Sequence, residues 1–126
     1  MNINQKQEYG YGLATMGYKY TNIIRLNYKI RDRILDNLMN KLLKRPDVNI
    51  VWACIEPDLD KITNKIDPFT NHVHFAWKGG ELTKHQLSNS MKLNRKHLRN
   101  TLELNNSLEY FTKHLGKSLS YHNFYS

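Results

Sequence analysis

In the run NHVHFAWKGG (71–80), Val73, Phe75 and Trp77 alternate with His72, His74 and Ala76. A period of two is the signature of a strand with one apolar face, and the paired glycines end it. VNIVWACIE (48–56) is rich in apolar and β-branched residues and reads as the strand before it. YKYTNIIRLNY (18–28) reads as a first strand on the same grounds. Between them the period changes. In KIRDRILDNLMNKLLKRPD (29–47), Ile30, Ile34, Leu38 and Leu42 recur every four residues, with Leu35 and Met39 beside them. That stripe predicts a helix with Asp32 early, Lys44 and Arg45 late, and Pro46 as its stop.

Further along, PDLDKITNKIDPFTN (57–71) carries two prolines and predicts a polar loop. ELTKHQLSNSMKL (81–93) predicts a second helix, HLRNTLELN (97–105) a fourth strand, and SLEYFTKHLGK (107–117) a short helix stopped by Gly116. SLSYHNFY (118–125) predicts a last strand or tail. The order is β-α-β-β-α-β-α-β. It implies an α+β fold with a central antiparallel sheet of about five strands and helices on one face. Residues 1–17, polar and containing Gly10, Gly12 and Gly17, are expected to form a flexible arm before a domain over 18–126.

The 126 residues suit one domain, and a chain of this size buries roughly two-thirds of its unfolded surface. Charge adds more. Lys and Arg number 19 against 11 Asp and Glu, a net +8. This excess favours a polyanionic partner, nucleic acid before anionic membrane. Cys54 is the only cysteine, so an internal disulfide is excluded, and its apolar surroundings make it a small core residue. The longest fully apolar run, IVWACI, is far short of the roughly 20 residues that span a bilayer. The first residues carry no signal-peptide core, and a cytoplasmic protein without a membrane anchor is expected.

Alternation gives the chemistry its geometry. His72 and His74 share one face of their strand, and Trp52, Cys54 and Glu56 share one face of the preceding strand. If the two strands pair, Glu56 can lie beside the imidazoles; sequence does not fix that register. Two histidines and a carboxylate with open positions suit a divalent ion that binds substrate. They do not suit a closed structural zinc site. Asp58 and Asp60 are rival ligands, and an isolated H-x-H equally fits two surface histidines. Tyr110 and Lys113 are three apart on the predicted 107–117 helix, so their side chains are neighbours. A phenol, with a pKa of about 10, becomes a useful nucleophile where a cation stabilises the phenolate. Packing beside Phe111 is the plain alternative for Tyr110.

Taken in order, a carboxylate ending the second strand, His72-Val73-His74 on the third and Tyr110-Phe111-Thr112-Lys113 on a later helix resemble the HUH endonucleases. The likeness is to the single-tyrosine rolling-circle replication initiator (Rep) domains, and it spans residues 18–125 in element order. It departs from the family at the first motif, which has no clear counterpart in TNIIRLNY, and in the long stretch between Glu56 and His72. The resemblance implies a ferredoxin-like Rep sheet, with His72, His74 and Glu56 holding Mg²⁺ or Mn²⁺. It implies that Tyr110 attacks single-stranded DNA at an origin or hairpin, leaving a 5′-phosphotyrosine and a free 3′-hydroxyl, with Lys113 steadying the anionic centre. Tyr121 and Tyr125 are rival nucleophiles without a lysine three residues on. A separate helicase is a further implied partner. Arg25, Lys29, Lys78, Lys84, Lys92, Arg95, Lys96 and Arg99 are the cations that such DNA would meet, and Tyr18, Tyr20 and Trp52 the aromatics on which bases would stack. A non-catalytic basic nucleic-acid-binding protein and an HUH transposase or relaxase are the alternatives.

Overall fold

The computed structural model describes residues 12–104 and 121–126. Five antiparallel strands form one sheet: β1 (Tyr20–Ile24), β2 (Val48–Leu59), β3 (Ile66–Gly79), β4 (Leu102–Glu103) and β5 (Tyr121–Tyr125). Their spatial order is β4-β1-β3-β2-β5. Two helices, α1 (Asp32–Leu42) and α2 (Lys84–Met91), pack on one face, giving the α+β architecture that the periodicities predict. A 3-10 turn, Arg95–His97, follows α2. Among the described residues no helix is long and apolar enough to cross a membrane.

The sheet separates its side chains as the alternation requires. Val51, Ala53 and Ile55 of β2 join Val73, Phe75 and Trp77 of β3 in the core beneath the helices. Helix α1 meets them with Leu35, Leu38, Met39 and Leu42, which are buried. Asp32 in its first turn and Lys41 in its last complement the helix dipole. Helix α2 starts at a capping box: Gln86 N donates to the Thr83 hydroxyl and Thr83 N donates to the Gln86 side chain. Tyr125 closes the sheet against α1, its hydroxyl donating to Asp36 Oδ1 at 2.6 Å.

Three elements differ from their sequence expectation. The polar loop over 57–71 is largely a hairpin arm: β2 runs on to Leu59, β3 begins at Ile66, and the two pair at Leu59↔Ile66. Pro57 and Pro68 are tolerated because β5 pairs only with 51–55 and β1 only with 73–77, so the arm has open edges. Its tip turns on Asp60, whose carboxylate accepts from Ile62 N and Thr63 N at 2.8 and 2.9 Å. The strand expected over 97–105 is mostly irregular. It keeps one bridge, Ile24↔Leu98, and the two residues of β4, because Asn22 Nδ2 donates to Arg99 O and Asn22 Oδ1 accepts from Arg99 N in place of a regular ladder. Residues 12–15, within the stretch expected to be an arm, form a helical turn that buries Leu13. The helix predicted over 107–117 lies outside the described residues.

The glycine pair after β3 is a packing requirement. Gly79 has φ +140°, and a Cβ there would stand 2.0 Å from Asp47 O. That carbonyl accepts Gly80 N at 3.0 Å, which seats the end of β3 against the start of β2. Gly79→Ala is therefore expected to destabilise the fold by roughly 3 kcal/mol and lower its melting midpoint by about 10 °C. Gly80→Ala, whose Cβ meets only the Asp47 side chain at 3.8 Å, serves as the mild control in the same thermal melts.

Candidate metal centre

The β2–β3 register settles what alternation leaves open. Glu56 stands directly opposite His72, and Cys54 opposite His74. All four side chains sit on the face away from the helices. His72 Nε2 lies 3.2 Å from His74 Nε2 and 3.3 Å from Glu56 Oε2, and His74 Nε2 lies 3.6 Å from the same oxygen. Ligand atoms around a small cation at roughly 2.1 Å stand about 3 to 3.5 Å apart, so the spacing fits a shared ion. Glu56, His72 and His74 are the described group able to hold a metal ion.

The centre is buried, unlike the open sheet face expected for it. Glu56 is 2% exposed, His72 5% and His74 1%. Leu13, Tyr18 and Leu104 close over Trp52, Cys54 and Ala76 on this side and form a second small core. Tyr18 and Trp52, considered as base-stacking residues, are thus core residues, and Tyr20 packs on Trp77 with ring centroids 5.9 Å apart. A buried carboxylate must be matched by a proton or a cation, since an uncompensated charge is costly there. Burial pushes the Cys54 thiol well above its ordinary range, with Glu56's charge adding to it, so Cys54 stays protonated as a core residue.

A second carboxylate orients the first imidazole. Asp58 Oδ1 is 2.6 Å from His72 Nδ1 and accepts from Arg25 Nη1 at 2.8 Å. An ionised carboxylate only accepts, so His72 donates from Nδ1 to Asp58, which leaves Nε2 to face Glu56 and His74. Partial burial works to raise the Asp58 carboxyl, but the hydrogen bonds and charges of Arg25 and His72 outweigh it and hold it below the ordinary range. Asp58, a rival ligand from sequence, is an orienting partner instead. Asp60, the other rival, is engaged by the backbone of the arm tip. Asn71 also buttresses the site: its side chain exchanges hydrogen bonds of 2.8 and 2.7 Å with the backbone of Ile30.

The remaining predicted residues are distributed unevenly. Tyr110 and Lys113 lie outside the described residues. Tyr125 is on the helical face, bonded to Asp36, and cannot serve as the nucleophile at this centre. Tyr121 places its backbone opposite Ile55, one residue from Glu56. Arg25 reaches the site through Asp58. Arg99 lines a cavity of about 150 Å³ together with Asn22, His74 and Asn100. Lys78 packs its ammonium over Tyr18, 5.1 Å from the ring centre. Lys29, Lys92, Arg95 and Lys96 are exposed and Lys84 half-buried, with Lys84 in α2, Lys92 at its end and Arg95 and Lys96 in the 3-10 turn. The Arg25–Asp58–His72 chain was not read from sequence, although Asp58 falls two residues after Glu56 and alternation puts both on one face.

Comparison of the chain with models of protein families, with curated proteins and with solved structures gives no match.

Two outcomes follow from the Asp58 geometry. Asp58→Asn replaces the acceptor with an amide and frees the imidazole to change tautomer. Mn²⁺ affinity, read by calorimetric titration, is expected to fall about 10- to 100-fold, as for other partners of metal-bound histidine. Unchanged affinity would remove this role from Asp58. In the metal-free protein the Asp58 carboxyl titrates below its unfolded value of about 3.9. Its stabilisation is complete above that pH and is lost as pH falls below it. The stability of wild type should then decline more steeply than that of Asp58→Asn in acid unfolding below about pH 4.

Proposed function

We propose that this chain is a metal-dependent, strand-specific single-stranded DNA endonuclease of the HUH type, acting in rolling-circle replication. The observation that carries the reading is the meeting of His72, His74 and Glu56 on neighbouring antiparallel strands at the centre of a five-stranded sheet. The net charge of +8 favours the polyanionic substrate.

His72 and His74 would hold Mg²⁺ or Mn²⁺ with Glu56, and imidazole ligation favours manganese in affinity. The bound ion supplies Lewis acidity at the non-bridging oxygens of the scissile phosphate. Tyr110 acts as nucleophile. Its oxygen forms a bond to phosphorus as the bond from phosphorus to the 3′-oxygen breaks. The phenol proton passes to solvent, and the departing 3′-oxygen takes up a proton. The products are a 5′-phosphotyrosine and a free 3′-hydroxyl, which conserve one phosphodiester and permit rejoining. Lys113 stabilises the phenolate or the phosphate charge. Described residues on both sides of Tyr110 lie near the centre: Leu104 packs with Cys54, and Tyr121 pairs with Ile55. Arg25 and Arg99 are the cations best placed to meet the phosphates flanking the reacting one.

The test is a denaturing gel of the protein incubated with Mn²⁺ and a labelled pool of single-stranded and hairpin oligonucleotides. A covalent adduct is expected, lost on chelation and reduced at least about a thousandfold in Tyr110→Phe and in His72→Ala. Cleavage without an adduct would make water the nucleophile. An adduct that survives Tyr110→Phe would move the role to another tyrosine. Neither cleavage nor adduct would leave a nucleic-acid-binding module.

A further inference from the structure

We propose that the basic cavity at the C-terminal end of α1 is a phosphate-binding site, separate from the metal centre and independent of the nicking reading. The cavity, about 380 Å³, is lined by Lys41, Lys44, Arg45, Pro46, Ser90 and Lys92. It belongs to the helical layer, across the sheet from Glu56, His72 and His74. Its volume falls within the range of small-ligand pockets and exceeds what a bare phosphate needs.

Four of the six lining residues are cations, and no carboxylate lines the cavity. Arg45 is fixed in place. Its Nε and Nη2 donate to the Asp47 carboxylate at 2.8 and 3.0 Å, and its Nη1 donates to Ser90 Oγ at 3.2 Å. This ties the end of α1 to α2 and sets one wall in advance. Lys41, Lys44 and Lys92 make no ion pair among the described residues.

Helix dipoles do not account for this many cations. Asp47 neutralises one, and the C-terminal ends of α1 and α2 contribute about half a negative charge each, which leaves a net charge near +2. Lys92 adds a second sign. It caps α2 in the left-handed conformation, φ 55° and ψ 43°, where glycine or asparagine is the usual residue. A lysine carries a steric cost there that glycine avoids. The chain accepts it at the point where the side chain faces the other cations.

The ligand class is a phosphate group, either in a nucleic-acid backbone or on a small phosphorylated molecule. Both sources are separated by titrating the ¹⁵N-labelled full chain with pyrophosphate and, in parallel, with a short single-stranded oligonucleotide. Saturable amide shifts at 41–47 and 88–93 are expected with both ligands, confined to those segments for pyrophosphate and distinct from any shifts at the metal centre for the oligonucleotide. Tighter response to the oligonucleotide assigns the backbone as source, and tighter response to pyrophosphate assigns a small molecule. The double variant Lys44→Gln/Lys92→Gln should bind at least about tenfold more weakly, and for the oligonucleotide its salt slope should fall by roughly 1.4. Lys61→Gln/Lys65→Gln, at the arm tip, should leave the response intact. If the double variant fails to fold, Lys44→Gln alone serves, since that side chain is exposed. Absence of saturable shifts, shifts spread evenly over all lysine-bearing surfaces, or a folded variant that binds like wild type would overturn the proposal.

Discussion

A carboxylate that water scarcely reaches, held within 3.6 Å of two imidazole nitrogens, is the constraint around which this molecule is arranged. Glu56 needs a proton or a cation to match it, and the fold places ligand atoms that could hold a cation. Both imidazoles are buried on this face. His74 lies between Ile23 of β1 and Cys54 of β2 in register, and His72 is held through Nδ1 by Asp58. The ordering runs outward from there: Asp58 is gripped by Arg25, whose own backbone N–H donates to His97 O at 2.9 Å. A local charge problem is thus passed from β2 to β3, to the end of β1 and to the 3-10 turn.

The two faces of the sheet divide the work. One is a conventional apolar core under α1 and α2, and it fixes the positions of β2 and β3. The other carries the polar centre and a small second core in which Leu13, Tyr18 and Leu104 shelter Trp52 and Cys54. Shelter matters for the electrostatics, because a hydrogen bond or ion–ligand contact is stronger where water is excluded. It also narrows the approach, leaving the side of His74 that borders Arg99 and Asn100 as a described cavity.

Much of this was legible in the sequence, for a definite reason. Period-two alternation does not depend on distant contacts, so Val73, Phe75 and Trp77 could be separated from His72 and His74, and Glu56 from Ile55, before any pairing was known. The stripe of Leu35, Leu38 and Leu42 announced α1 in the same way. Register, closure and reach were not legible. Prolines at 57 and 68 read as loop because the absence of β1 and β5 neighbours along the arm is a property of the whole sheet. The cover supplied by Leu13 comes from a glycine-containing stretch whose local pattern is polar. The Arg25–Asp58 pair joins residues 33 apart, and only the folded topology brings them together. Lys41, Lys44 and Lys92 likewise belong to different elements, and each alone is an ordinary surface lysine.

The hairpin arm carries one more consequence. The register slips between Pro57 and Leu59, while from Val73 to Trp77 the β3 residues are clamped between β1 and β2. Gly79 against Asp47 pins the opposite end. Length changes at the tip, around 60–65, are therefore absorbed by the arm and do not propagate to the Glu56↔His72 pair. Descendants of this chain are free to vary that projection, with its outward-facing Ile62 and Phe69, while the ligand cluster at its root stays as it is.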